Sequence, residues 1–256
     1  MRKIFIAGNW KMNLTKSEAI ALASGLAAKS SSFGNVEVGV IPAFVHIDAV
    51  SAAVKGSPIS VGAQDVYFEK NGAFTGEIST DMLVDLGVQY ALVGHSERRH
   101  ILKESDELLN KKVLALLARK ELGALLCVGE LLEERKAEKT FAVIEHQLKT
   151  GLAGVDASHV DRLVIAYEPV WAIGTGLTAS PQQAQDAHAF TRATLAKMFN
   201  PDFANKIQIQ YGGSVKASNA GELLSQPDVD GALVGGASLK VDEFVGIITA
   251  GAATKK

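Results

Sequence analysis

Short apolar runs recur along the chain, each followed by a polar turn and then a stretch with helical spacing. The runs predict strands at Lys3–Ala7, Glu37–Ile41, Ile59–Ala63, Tyr90–Val93, Ala124–Val128, Leu163–Tyr167, Ile207–Tyr211 and Gly231–Val234. Several are apolar at nearly every position rather than at alternate ones, the pattern of a parallel sheet buried on both faces. Between them lie helix-start signals. Thr15-Lys16-Ser17-Glu18 reads as a capping box, and Ser180-Pro181-Gln182-Gln183 as a second with proline at the first helical position. Lys111–Glu121 and Glu133–Lys149 show helical periodicity with charged outer faces. Eight strands alternating with eight helical segments predict a single-domain α/β fold over residues 1–256, a (β/α)8 barrel, with an open doubly wound sheet as the rival topology.

Composition narrows the function classes. A formal net charge of −2 gives no whole-molecule field for nucleic acid or an anionic membrane, so anion recognition must be local. Cys127 is the single cysteine, which rules out an internal disulfide or a multi-cysteine metal cluster and suits a reducing cytoplasm. The apolar run Ile4–Ala7 is too short for a signal-peptide core, and no stretch approaches the roughly 18 apolar residues that span a bilayer. A soluble cytoplasmic protein is expected.

The chemically unusual residues fall just beyond predicted strand ends. Asn9 and Lys11 follow the first strand, His95 the fourth, Glu168 the sixth, Gly212-Gly213-Ser214 the seventh and Gly235-Gly236 the eighth. In a barrel these positions share the C-terminal mouth, and the loops after strands seven and eight are its recurrent phosphate site. Glycines there let backbone N–H groups approach an anion closely. Gly174-Thr175-Gly176-Leu177-Thr178-Ala179 imitates a dinucleotide fingerprint, but it neither follows a strand directly nor opens a helix, and Thr194 and its neighbours offer no acid for a ribose. Pro169–Ala179 reads better as a hinged lid, with Trp171 and Ile173 as its apolar body. Glu168 stands at its root, and a carboxylate becomes a useful base where an apolar cover desolvates it. Lys11 would balance developing negative charge. His95, at a predicted helix start, would be a neutral imidazole. There is no His-Glu-x-x-His motif, and His95 and His100 lack the spacing of paired helix ligands, so no metal is expected.

Gly8-Asn9-Trp10-Lys11-Met12-Asn13, Val93–Arg99, Ala166–Gly176, Tyr211–Val215 and Gly235-Gly236-Ala237-Ser238-Leu239 together resemble the triosephosphate isomerase family, in order and over nearly the whole chain. The resemblance implies an isomerase of glycolysis and gluconeogenesis that interconverts dihydroxyacetone phosphate and glyceraldehyde 3-phosphate without a cofactor. It implies Glu168 as the base and His95 as the electrophile that shuttles protons between the two oxygens. Asn9 and Lys11 would bind substrate and stabilise the oxyanion, and Gly174, Ser214, Gly235 and Gly236 would hold the phosphate. It further implies a homodimer in which the loop near 64–78 inserts into the partner subunit, placing Thr75 near that subunit's Asn9 and Lys11. Two departures are visible: Ile41-Pro42-Ala43-Phe44 lacks an expected second proline, and Ala137 replaces a common glycine.

Two rivals bear on the same residues. A Schiff-base aldolase wants a lysine at a central strand end, where this chain has Glu168. A phosphosugar-binding protein without catalysis has no need for Asn9, Lys11, His95 and Glu168 together.

Overall fold

Eight strands, β1 (Phe5–Asn9), β2 (Glu37–Ile41), β3 (Ile59–Ala63), β4 (Tyr90–Val93), β5 (Gly123–Val128), β6 (Leu163–Tyr167), β7 (Gln208–Tyr211) and β8 (Gly231–Val234), close into one parallel barrel in sequence order. The computed structural model describes residues 2–173 and 178–254. Closure is made by β1 pairing with β8, Phe5 opposite Gly231 through Gly8 opposite Val234, and this pairing excludes the open sheet.

The nearly unbroken apolar character of the strands has a direct cause. Ile4 and Ile6 face outward into a large core shared with the helices, whereas Phe5 and Ala7 face inward into a smaller one with Ile41, Tyr90, Leu92, Leu125, Cys127, Ala166 and Leu233. Alternate side chains enter alternate cores, so neither face tolerates polarity. Phe5 and Tyr90 meet edge-on inside the barrel, ring centroids 5.5 Å apart.

Two predicted strands change by one residue at one end, and one shifts by two residues at both ends. β1 runs Phe5–Asn9 rather than Lys3–Ala7, because its ladder is set by β2, Phe5 opposite Glu37 and Asn9 opposite Ile41. Asn9 is therefore the last residue of the strand, not a residue after it. β5 begins one residue early at Gly123, and β7 one residue late at Gln208.

The helical layer is more divided than predicted: the described residues form eleven α-helices with short 3-10 turns. The predicted helix at Lys111–Glu121 is Asp106–Leu117, its start fixed by Ser105 Oγ accepting from Leu108 N–H. The predicted helix at Glu133–Lys149 is two helices, Leu132–Lys136 and Thr140–Gly151, separated where Glu138 takes a left-handed φ of 56°. Both capping boxes form: Glu18 accepts from Thr15 N–H at 2.7 Å, and Gln183 from Ser180 N–H at 2.9 Å. No helix among the described residues is long and apolar enough to cross a membrane.

Candidate active site

The closed barrel gathers the scattered strand ends at one mouth. A cavity of about 480 Å³ there is lined by Asn9, Lys11, Asn13, His95, Glu168 and Ile173 on one side, and by the turns after β7 and β8 on the other. Asn9, His95, Glu168, Ser214, Gly235 and Gly236 all line it; Gly174 lies outside the described residues.

Glu168 follows β6 directly and is almost fully buried, at 2% exposure. Its N–H donates to Val128 O at 2.7 Å, which ties it to β5. The carboxylate accepts from Ser96 N–H at 2.8 Å through Oε2, while Oε1 lies 3.0 Å from His95 Nε2. Two glycines make room for this residue. A Cβ at Gly129 would stand 1.7 Å from Glu168 O, and one at Gly212 would stand 2.8 Å from Glu168 Cγ. The Gly212-Gly213 pair, read from sequence as a phosphate cradle, thus has a steric duty as well: Gly212 clears Glu168, and Gly213 clears the Tyr211 hydroxyl.

His95 caps the short helix Ser96–His100, its Nδ1 accepting from Glu97 N–H at 3.3 Å. Glu97 Oε2 also lies 3.4 Å from that nitrogen. With the Glu97 amide donating to Nδ1, Nε2 is the ring nitrogen turned toward the Glu168 carboxylate. A carboxylate and an imidazole therefore stand in direct contact on the cavity floor.

Lys11 is held in a left-handed conformation, φ 51°, which a non-glycine residue keeps only when its surroundings enforce it. Asn9 Oδ1 accepts from Lys11 N–H at 3.0 Å, and Gln64 Nε2 donates to Lys11 O at 2.7 Å and to Ile41 O at 3.1 Å. The ammonium reaches Glu97 Oε1 at 2.7 Å. Glu97 and Gln64 were missed as individual residues in the sequence reading. Glu97 lay inside the motif around His95, but its link to Lys11 spans 86 positions and has no local signature.

Across the cavity, Gly235 and Gly236 leave open backbone. A Cβ at Gly236 would meet nothing within 4 Å, and one at Gly235 would only reach Lys11 Cε at 3.6 Å. The turn is braced from behind by Ser238, whose hydroxyl donates to Gly235 O at 2.7 Å.

The segment expected as a lid begins with Pro169 and a 3-10 turn, Val170–Ala172; its residues 174–177 lie outside the described residues. Ile173 and Leu233 line the cavity, but Trp171 does not. Trp171 instead donates from Nε1 to Glu130 Oε1 at 2.9 Å and lies beneath the Arg135 guanidinium at 4.6 Å. Glu130 is fully buried and also accepts from Tyr167 OH and from Arg135 Nη1. Burial, then the Glu130 charge, push the Tyr167 phenol well above its ordinary range. This anchor was not foreseen, since nothing distinguishes Glu130 in sequence from the acids after it. Cys127, the single cysteine, is buried in β5, its thiol pushed up by burial and next by the Glu168 charge.

Among the described residues no group of three His, Cys, Asp or Glu is arranged to hold a metal ion. The site offers a buried carboxylate, an imidazole, a cation and an open glycine-lined wall.

Comparison with known proteins agrees with this geometry. A family model described as triosephosphate isomerase matches residues 4–251. Proteins named triosephosphate isomerase from Rhodopirellula baltica and Carboxydothermus hydrogenoformans are 51% and 52% identical to the chain, each alignment covering 97% of it and 98% of the relative. One from Syntrophotalea carbinolica is 50% identical over the same shares. The chain belongs to the triosephosphate isomerase family.

Proposed function

We propose that this protein interconverts dihydroxyacetone phosphate and glyceraldehyde 3-phosphate by moving a proton between adjacent carbons through an enediolate. The observation that carries the reading is the contact between Glu168 Oε1 and His95 Nε2, 3.0 Å, on the floor of a cavity whose far wall is glycine backbone. Glu168 takes the proton from the carbon beside the carbonyl. His95 gives its Nε2 proton to the carbonyl oxygen as charge develops there, then recovers a proton from the neighbouring hydroxyl. Glu168 returns its proton to the other carbon, and the enzyme is regenerated.

To act so, Glu168 exchanges its contacts with Ser96 N–H and His95 for the substrate carbon. The substrate's carbonyl oxygen takes over the His95 proton, and the space beside Gly212 lets the carboxylate turn. Asn9 and Lys11 bind the substrate oxygens, the ammonium offsetting the enediolate charge. Ser214, Gly235 and Gly236, joined by Gly174, hold the phosphate through backbone amides. A lid over 168–179, rooted at the Glu130–Trp171 anchor, keeps water from the enediolate, which otherwise eliminates phosphate. The setting is cytoplasmic, in glycolysis and gluconeogenesis.

The assembly proposed is a homodimer. Met12, Val45, Ile101 and Leu102 are apolar side chains exposed at 95%, 81%, 72% and 59%, Met12 next to Lys11, Val45 in the turn after β2, and Ile101 and Leu102 just beyond the helix that His95 caps, which is costly unless something covers them. Phe74 packs on Tyr67 at 4.7 Å and shapes the 64–78 loop, leaving Thr75 exposed at its tip. Insertion of that loop into a second copy would bring Thr75 to the partner's Asn9 and Lys11.

The direct test is a coupled assay of purified protein with chelator present, where turnover of both triose phosphates is expected and background rates would overturn the reading. Thr75→Arg is expected to weaken self-association by on the order of 30-fold, through a charge buried at the interface, and to lower activity with it. Sedimentation that finds a fully active monomer would overturn the shared site.

A further inference from the structure

Under the isomerase reading the cavity must admit a phosphate dianion, yet its own charges nearly cancel. The Lys11 ammonium is engaged by Glu97 Oε1 at 2.7 Å. Glu168 adds a negative charge on the floor, and Asn9 and Asn13 add none. Among the described residues lining the cavity, the remaining charged side chain is Lys216. It is exposed and has no carboxylate within ion-pair distance among the described residues.

Its root is held in place. Lys216 N–H donates to Asn219 Oδ1 at 2.8 Å, and Asn219 Nδ2 donates to Ser214 O at 3.3 Å. Asn219 thereby staples the start of the helix Ala217–Leu224 to the turn carrying Ser214. Whatever rotamer the lysine takes, its backbone stays two residues from Ser214, on the cavity wall beside the glycines.

We propose that Lys216 is an electrostatic positioning residue that attracts the phosphorylated end of the substrate and orients it toward the Ser214 wall. The inference rests on the isomerase reading. An exposed ammonium on a flexible stem does not take part in proton transfer. It raises the local concentration of a dianion at the mouth, so it acts on capture and weakly on the chemical step. Salt must suppress the effect, because the screening length shrinks from about 30 Å at 0.01 M to about 3 Å at 1 M.

The test compares the full chain with Lys216→Gln, Lys216→Arg and Lys55→Gln, the last removing an equal charge before β3, at the opposite end of the barrel. At about 0.01 M ionic strength, Lys216→Gln is expected to lower kcat/KM about fourfold with kcat nearly unchanged, and the deficit should shrink below about 1.5-fold near 0.5 M. Lys216→Arg should restore most of it, and Lys55→Gln should show no such salt-dependent loss. The inhibition constant of inorganic phosphate should rise with Lys216→Gln by a similar factor, while turnover of unphosphorylated glyceraldehyde should not change. A Lys216→Gln enzyme equal to the parent at low salt, a loss independent of salt, or an equal loss in Lys55→Gln would overturn the inference. Failure of the parent chain to turn over triose phosphates would overturn the isomerase reading instead.

Discussion

The two ends of the barrel carry cavities of the same size, about 480 Å³ each, and differ in how their polar groups are used. At the N-terminal end, Phe5, Tyr90, Leu125 and Val164 make an apolar floor. Buried charges elsewhere at that end of the barrel are closed into structural bonds. Arg192 donates to Asp228, Asp230 and the carbonyls of Ala204 and Ile207, and Arg2 donates to Asp230 at 2.8 Å. Arg162 caps the carbonyls of Leu117, Arg119 and Leu122. At the C-terminal end, Glu168, His95 and Lys11 bind mainly one another and one another's neighbours, through contacts a substrate can replace. Volume does not separate a functional cavity from a structural one. What separates them is whether the buried polar groups are committed to the backbone or available for exchange.

The largest expected effect lies at the C-terminal end. Glu168→Gln keeps an acceptor for Ser96 N–H but removes the proposed base, and kcat should fall on the order of 10³-fold with little change in unfolding midpoint. A coupled assay beside thermal unfolding checks this; unchanged turnover would show the base misassigned. The opposite signature is expected at the other end. Arg192→Met leaves Asp230, fully buried, without its main partner, and should cost about 3 kcal/mol of stability in urea titration. Turnover per folded molecule should not move; if it fell as it does for Glu168→Gln, the contrast between the ends would fail. The smallest effect sharpens the comparison within the site itself. Gly212→Ala places a methyl against Glu168 Cγ and should lower kcat about tenfold through displacement of the carboxylate, at a modest stability cost. A normal kcat would mean that Glu168 turns without using that space.

Much of the fold was legible because two-sided burial leaves a mark on each strand separately. Glu37–Ile41, Leu163–Tyr167 and Gly231–Val234 are apolar in their own right, and the structure gives them the bounds read from sequence. The errors fell where a neighbour decides. β1 is placed by its ladder with β2, and the break at Glu138 by a single left-handed residue that periodicity cannot show. In the site, Asn9, Lys11, His95 and Glu168 stood out because each stands at or just beyond a strand end within a recognisable run. Glu97, Gln64, Gly129 and Glu130 did not, because their duties are contacts with residues far away in sequence: Glu97 with Lys11, Gln64 with Lys11 and Ile41, Gly129 with the Glu168 carbonyl, and Glu130 with Trp171.

By itself the sequence determined the order of elements, the two buried faces of each strand, the capped helix starts and the family, all of them properties carried by local pattern. Closure of β8 on β1 decided the rest. It placed residues from separate strand ends around one cavity and set Glu168 against His95 and Lys11 against Glu97. Such pairings depend on distances in space between segments whose separation along the chain leaves no periodic trace, and only the packed barrel fixes them.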